Sequence, residues 1–205
     1  MMNSDGEPHR EVMIGPLTPG PLGEQVLDLA ATGRAGLSAL LGDAAQRHGL
    51  FRRNMRADRF LVATVNGAMA GYASLKHGGT GPFNPSLADF RRVYGGLAGL
   101  HVFGVFSCIE ARSRALPGGV YLYGIDTEER FRRQGVGTAL LRAALSATEG
   151  LGFARLEWET RAPAMLALTQ RVGGQPVLPA RGILARLLAA TAADYRRFSI
   201  TVRPG

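Results

Sequence analysis

Nine residues in the second half of the chain combine positive charge with two glycines. They read Arg130-Phe131-Arg132-Arg133-Gln134-Gly135-Val136-Gly137-Thr138, between a predicted strand and a predicted helix. The first N–H groups of a helix have no partner within it, and the helix dipole favours an anion there. Glycines let a ligand approach the backbone closely, and arginines add charge-assisted donors for phosphate oxygens. The pattern predicts a pyrophosphate site.

Two other phosphate motifs do not fit this chain. A Walker A loop needs Gly-Lys-Ser/Thr, and the single lysine of the sequence, Lys76, lies elsewhere. A dinucleotide fingerprint, Gly-x-Gly-x-x-Gly/Ala, would need a small residue where this sequence has Leu140. An ordinary glycine turn flanked by solvated arginines is the remaining alternative, and the strand–loop–helix context favours the phosphate site over it.

Charge is unevenly distributed along the chain. The 205 residues contain 24 Lys+Arg and 16 Asp+Glu, a net charge of +8. Ten bases and eight acids give +2 in residues 1–100, and fourteen bases and eight acids give +6 in residues 101–205. A host bias towards arginine would give the same totals, so position carries the information. Apart from short clusters the arginines are scattered, which makes nucleic-acid binding the weaker interpretation and predicts no nucleic-acid partner.

Composition excludes several classes of protein. The 46% apolar content rules out wholesale disorder. The single cysteine, Cys108, excludes an intramolecular disulfide and a cysteine metal cluster, and we predict no metal. Residues 4–11 are charged where a signal peptide needs an apolar core, and no run reaches the ~20 apolar residues of a membrane span. We therefore expect a cytoplasmic protein without a membrane span.

Hydrophobic periodicity and turn signals divide the chain into alternating elements. Asn66-Gly67 predicts a tight hairpin turn. We predict strands at 12–14, 59–65, 69–76, 120–127, 154–160 and 198–202, and helices at 24–48 (interrupted at Gly33 and Gly36), 87–109, 135–149, 163–172 and 183–193. This order predicts one mixed α/β or α+β domain over residues 1–205.

The predicted helix 87–109 is unusually apolar. Ser86 and Asp89 form a possible capping box at its start, and Leu97 to Ile109 contains no charged residue. We expect this stretch to pack in the core or in a homodimer interface. An apolar substrate wall and a membrane-surface contact remain as alternatives.

The glycine loop resembles a known family. Arg132-Arg133-Gln134-Gly135-Val136-Gly137 is similar to the Gln/Arg-x-x-Gly-x-Gly/Ala motif of the GNAT superfamily of acyl-CoA-dependent N-acyltransferases. The resemblance covers residues 58–76 and 120–174, and residues 77–119 look like a helical elaboration outside it. It implies an α+β fold with a central, mostly antiparallel sheet that is splayed between its fourth and fifth strands, with helices on both faces.

The resemblance also implies a cofactor site for acetyl-CoA, the acyl donor. Backbone N–H groups from Arg133 to Thr138 would hold the CoA pyrophosphate, and Ile125 and Thr127 would pair with the pantetheine arm. The thioester would then lie beside Asp126 and Thr127. The implied cofactor-binding residues are Ile125, Asp126, Thr127, Arg132, Arg133, Gln134, Gly135, Val136, Gly137 and Thr138.

The chain departs from the family where a general acid is expected. The family's helix after the next strand usually begins with asparagine and carries, seven residues later, a tyrosine that protonates the leaving thiolate. Alignment on Gly173 places Ala162 and Thr169 there. Thr169 could relay a proton but is a poor acid. The tyrosines that could approach the site from elsewhere are Tyr121, Tyr123 and Tyr195.

Three residues are candidates for catalysis. Some family members use a glutamate on the central strand, and ungapped alignment places Tyr121 at that position. Glu157 and Glu159 share a face of the next strand at a spacing of two, so either could line the cleft as a general base. The alternative for both glutamates is a solvent-facing or ion-paired carboxylate.

The sequence thus predicts an N-acetyltransferase that moves an acetyl group from acetyl-CoA to a primary amine by direct attack in a ternary complex. The identity of the amine acceptor stays open. A catalytically degenerate acyl-CoA-binding sensor or scaffold is the first alternative, because the usual tyrosine is missing. A basic nucleic-acid-binding protein is the second.

Overall fold

The computed structural model describes residues 11–33, 40–177 and 195–202, except for the side chain of Arg112. Its strands are β1 (Val12–Pro16), β2 (Phe60–Val65), β3 (Ala68–Lys76), β4 (Gly119–Thr127), β5 (Arg155–Thr160), β6 (Gln175–Pro176) and β7 (Arg196–Thr201). Its helices are α1 (Pro21–Gly33), α2 (Ala44–Arg52), α3 (Leu87–Tyr94), α4 (Gly96–Arg112), α5 (Val136–Gly150) and α6 (Pro163–Arg171). Gly36 and the predicted helix 183–193 lie outside these residues.

The seven strands form one sheet in the order β1-β2-β3-β4-β5-β7-β6. Every neighbouring pair is antiparallel except β4 and β5, which run parallel. A parallel pair needs a crossover connection, and α5 supplies it. The predicted mixed, mostly antiparallel sheet is confirmed.

The β2–β3 hairpin turns where the sequence predicts. Asn66 has φ 50° and Gly67 has φ 79°, so both central residues of the turn are left-handed. Such turns match the twist of the strands they join and favour Asn-Gly. Phe60 at the start of β2 pairs with Ser74 of β3, so the hairpin sets the register between these two strands.

Two hydrophobic cores lie on opposite faces of the sheet. The first holds Phe60, Val62 and Tyr72 beneath side chains from α1 to α4, such as Val26 and Phe90. The second holds Val120, Leu122, Leu156 and Trp158 beneath Leu140 and Leu141 of α5. Helices therefore cover both faces, as predicted, and Trp158 lies in the core. Because side chains alternate along a strand, the residues between these core positions of β4 and β5 face the α1–α4 side.

The prediction of one continuous helix over 87–109 is wrong. The capping box of Ser86 and Asp89 starts α3, but Gly95 adopts φ 84° and separates α3 from α4. A Cβ on Gly99 would lie 2.7 Å from the backbone of Arg91, so α4 folds closely against α3. Phe106 of α4 is buried in the first core, whereas Leu97 is 87% exposed. In the described part of the chain, no helix is both long and apolar enough to cross a bilayer.

Candidate active site

The parallel β4–β5 ladder is short and ends abruptly. It pairs Gly119 with Arg155, Val120 with Leu156 and Tyr121 with Glu157. Beyond that last pair, β4 continues along β3 as far as Thr127, and β5 continues along β7 as far as Thr160. The two strands thus separate into a wedge, here called the split, with its apex at Tyr121 and Glu157. A split in a sheet leaves backbone N–H and C=O groups able to pair with an extended ligand.

Strand β4 carries an irregularity just past the apex. Leu122 faces Leu75 and Gly124 faces Ser74, so Tyr123 is an extra residue in the ladder with β3. Bulges of this kind bend a strand and re-aim its side chains, and they are common next to active sites. The bulge therefore places Tyr123 at the start of the split.

The loop after β4 has an unusual backbone. Arg133 has φ 62° and Gly135 has φ 82°. Positive φ is uncommon for arginine, and such outliers cluster at functional sites. The Gln134 side chain donates to the Arg130 carbonyl at 2.7 Å, and Arg132 Nε donates to the Thr127 carbonyl at 3.4 Å. The loop is thus folded back on itself immediately before α5.

The start of α5 suits an anion. Gly135 is its N-cap and supplies no side-chain cap, and the first turn holds no acidic residue. The first intrahelical bond runs from Ala139 N to Gly135 O, so the N–H groups of Val136, Gly137 and Thr138 precede it. Arg132 and Arg133 stand exposed beside them. Positive charge, free helix donors and the helix dipole act in the same direction here.

Open space lies over the same turn. A Cβ on Gly135 would meet no atom within 4 Å, and a Cβ on Gly137 would come no closer than 3.9 Å to Thr127 Oγ1. The positive φ of Gly135 already favours glycine at that position. Packing within the protein does not require Gly137, and the open space over both residues lets a ligand approach the backbone. The residues present fit a pyrophosphate.

Residues at the end of β4 connect this loop to the split. Ile125 and Thr127 pair with Ala73 and Gly71 of β3, and both are partly exposed. Asp126 accepts from the Thr127 N–H at 2.9 Å, and its carboxylate lies against Gly33 at the end of α1. The residues predicted from the sequence to bind the acyl donor are thus continuous in space, from the split to the start of α5.

Glu157 lies at the apex within a dense set of contacts. Its side chain is fully buried, and one carboxylate oxygen accepts from Arg197 at 2.6 and 3.1 Å. The other oxygen accepts from the Leu116 N–H at 3.1 Å, and Arg155 lies 3.8 Å away. The ion-paired alternative for this residue is therefore what the structure shows.

Glu159 and Tyr121 lie on the same α1–α4 side. One oxygen of Glu159 is 3.6 Å from a terminal nitrogen of Arg197, and its side chain is 8% exposed. Tyr121 is buried, and the Arg197 guanidinium carbon lies 5.7 Å from its ring centroid. The structure thus brings the three catalytic candidates together around Arg197.

Thr169, which replaces the family's usual tyrosine, is enclosed in the second core. Its hydroxyl accepts from Trp158 Nε1 at 3.0 Å and donates to the Met165 carbonyl at 2.8 Å. The side chain is fully buried. Ala162, at the position of the usual asparagine, is the N-cap of α6 and makes no side-chain capping bond. The hydroxyl of Thr169 therefore serves the packing of α6 on β5.

A second polar cluster borders the split, and sequence reasoning missed two of its three members. Lys76 Nζ lies 2.5 Å from Glu110 Oε2, and the Tyr123 hydroxyl donates to Glu110 Oε1. Tyr123 was a candidate from the sequence, but Lys76 and Glu110 were not. Two sequence features mark them: Lys76 is the only lysine of the chain, and Glu110 is the first charged residue after the uncharged stretch of α4.

A separate cavity of about 380 Å³ lies at the other end of α5. Asp58, Arg59 and His77 line it together with Leu151 and other apolar residues. Burial is the largest cause that lowers the pKa of His77, and the positive charge of Arg59 adds to it. None of the residues predicted for the acyl donor lines this cavity.

Comparison with known proteins agrees with this architecture. The sequence model of the acetyltransferase (GNAT) family matches residues 35–173, more than half of the chain. No curated protein sequence gives a significant match.

Solved structures share the fold at low sequence identity. An agmatine N-acetyltransferase mutant in its apo form superposes with a TM-score of 0.59 at 14% identity, covering 93% of this chain and 99% of that one. A putative arylalkylamine N-acetyltransferase 7 from the yellow fever mosquito superposes with a TM-score of 0.59 at 14% identity, covering 94% of this chain and 88% of that one. A third structure is N-acetylglutamate synthase from Neisseria gonorrhoeae complexed with coenzyme A and N-acetyl-glutamate. It superposes with a TM-score of 0.53 at 13% identity, covering 96% of this chain and 36% of that one. The family match and the split sheet agree, and the chain belongs to the acetyltransferase (GNAT) family.

Proposed function

We propose that this protein is an N-acetyltransferase that moves the acetyl group of acetyl-CoA to a primary amine by direct attack, with both substrates bound together. The observation that carries the proposal is the continuity of the split with the uncapped start of α5. An extended pantetheine arm can pair with Ile125 and Thr127 while the pyrophosphate reaches the N–H groups after Gly135. The donor residues are those predicted from the sequence.

The amine approaches from the side of the sheet opposite α5. The pyrophosphate site at the start of α5 occupies one side, so the acceptor enters from the α1–α4 side, where Tyr121, Glu157 and Glu159 lie. Tyr123 points to this side too, since it packs against the first core. A primary amine must be neutral to attack, so one of the groups on this side takes its proton. Residues 77–119 supply α3 and α4, which cover this side.

Thermal unfolding with and without CoA tests the donor site. CoA should raise the midpoint of the wild type, because a ligand that binds only the folded state stabilises it. Gly135→Asp should abolish the rise, since it adds bulk and negative charge where the pyrophosphate sits. Gly152→Asp is the matched control: Gly152 has φ 75°, and a Cβ there would also meet no atom within 4 Å. An equal rise in both variants would refute the assignment.

A catalytically degenerate CoA-binding protein is the second candidate. The burial of Thr169, whose hydroxyl bonds Trp158 instead of facing the split, favours it. Release of CoA thiol from acetyl-CoA, measured with agmatine, an arylalkylamine and a peptide with a free amino terminus, separates the two candidates. Turnover with any of these amines supports the enzyme, and CoA binding without turnover supports the sensor or scaffold.

A further inference from the structure

Lys76 and Glu110 form a partly buried ion pair, and stability alone gives little reason for such a pair. Lys76, at the end of β3, and Glu110, near the end of α4, are 8% and 20% exposed. Lys76 Nζ also donates to the Glu110 carbonyl at 2.9 Å. Replacing buried ion pairs by apolar side chains is often neutral or stabilising, because removing two charges from water is costly. The pair therefore invites a functional explanation.

The two oxygens of the Glu110 carboxylate have different partners. Oε2 receives Lys76 at 2.5 Å, and Oε1 receives the hydroxyl of Tyr123. Lys76 Nζ also lies 5.8 Å from the centroid of the Tyr123 ring. The carboxylate is thereby held in one orientation, and the Tyr123 proton points to it. A phenol oxygen accepts hydrogen bonds as well as donating one, so the chemistry of this group suits a proton relay.

Tyr123 stands next to the place of reaction under the proposed function. It lies two residues beyond the β4–β5 apex and two residues before Ile125. Its β-bulge and its contact with the first core direct it to the side from which the amine enters. Glu110 comes from α4, near its end. The cluster thus joins α4 to the end of β3 and to β4 next to the apex of the split.

We propose that Tyr123 is the catalytic residue that accepts the amine proton, and that Glu110 and Lys76 are its positioning residues. This inference rests on the proposed function. As the nitrogen lone pair forms the bond to the thioester carbon, one N–H proton passes to the phenol oxygen and the phenol proton passes to Glu110. The C–S bond breaks, its electron pair leaves on sulfur, and the thiolate takes a proton from solvent. Glu110 returns its proton to solvent, so the amide and CoA thiol form without net proton change from a neutral amine.

Three variants test the relay with acetyl-CoA and the best amine of the panel. Tyr123→Phe should lower kcat by about 100-fold with little change in the KM for acetyl-CoA, the scale of losing a general base. Glu110→Gln should lower kcat by about 10-fold or more, because the amide cannot take the phenol proton. Tyr94→Phe is the matched control: the Tyr94 hydroxyl donates to the Leu41 carbonyl at 2.9 Å, away from the split. Its kcat should stay within about 3-fold of the wild type.

A change of acceptor separates proton transfer from a structural role. A weakly basic amine such as methoxyamine is already neutral near pH 7 and loses its proton more readily after attack. The deficit of Tyr123→Phe should therefore shrink several-fold with methoxyamine, and a structural defect would affect both acceptors equally. Equal deficits, or full activity of Tyr123→Phe, would overturn the relay while leaving the proposed function intact. A wild type that binds CoA but acetylates no amine would overturn the proposed function and the relay with it.

Discussion

Arg197 of β7 donates through Nε and a terminal nitrogen to a single carboxylate oxygen of Glu157 on β5, at 3.1 and 2.6 Å. Both side chains are buried, and Arg197 also donates to the Arg114 carbonyl that follows α4. One guanidinium thus ties β7, β5 and the segment after α4 together at the apex of the split. Charge-assisted hydrogen bonds are stronger than neutral ones, so this contact holds the apex of the split in one geometry.

Breaking this contact should destabilise the fold. Arg197→Met leaves the Glu157 carboxylate buried without its cation, and such a loss costs about 3–5 kcal/mol. The free energy of unfolding in urea measures it. Arg155→Met is the matched control, because Arg155 lies farther away at 3.8 Å with a side chain 37% exposed. It should cost less than about 1 kcal/mol. Equal losses in the two variants would show that the buried pair contributes nothing particular.

Glu159 and Tyr123 are alternative candidates for the general base that takes the proton of the amine. Glu159 is the sequence-derived carboxylate that is not fully buried: its side chain is 8% exposed, and Arg197 lies 3.6 Å away. If the relay through Tyr123 operates, the fall in kcat in Glu159→Gln should be smaller than the fall in Tyr123→Phe by a factor of at least about 10. Steady-state kinetics with one amine compares them directly. A larger loss in Glu159→Gln would make Glu159 the base.

Features set by neighbouring residues were predictable from the sequence. Asn66-Gly67, the Ser86–Asp89 capping box and the turn before α5 each depend on a few adjacent positions, and the first two form as predicted. The break at Gly95 was not predictable from periodicity, because apolar residues continue at helical spacing on both sides of it. Only the left-handed φ, compatible with glycine at low cost, ends α3 there.

Roles that depend on distant partners could not be predicted. Glu157 at a spacing of two from Glu159 looks like a cleft residue until Arg197, 40 positions later, proves to be its partner. Lys76 and Glu110 are 34 positions apart, and Tyr123 follows Glu110 by 13. Their meeting depends on how α4 packs across β3 and β4, which no local pattern encodes.

Gly95 should be more sensitive to substitution than its neighbour. At φ 84° and ψ 175°, a region that is essentially restricted to glycine, a Cβ costs about 1–3 kcal/mol even though it would meet no atom within 4 Å. Gly95→Ala should therefore lower the free energy of unfolding by about that amount. Gly96, the first residue of α4, has equal space and no positive φ, so Gly96→Ala should be neutral or slightly stabilising. Urea unfolding of both variants measures the difference. If Gly95→Ala is as stable as Gly96→Ala, the break between α3 and α4 does not depend on glycine.

His77 should make stability depend on pH in the weakly acidic range. Burial, and then the charge of Arg59, lower its pKa below the ordinary 6.5, with Arg56 acting in the same direction and Asp58 against it. The unfolded state therefore binds more protons below about pH 6.5, and stability falls as the pH drops through that value. Between about pH 7.5 and about pH 5.5, the urea midpoint of unfolding should fall less in His77→Gln than in the wild type. His101→Gln alters an exposed histidine on α4, and its urea midpoint should fall as much as that of the wild type. If the midpoint of His77→Gln also falls as much as that of the wild type, protonation of His77 is not linked to folding.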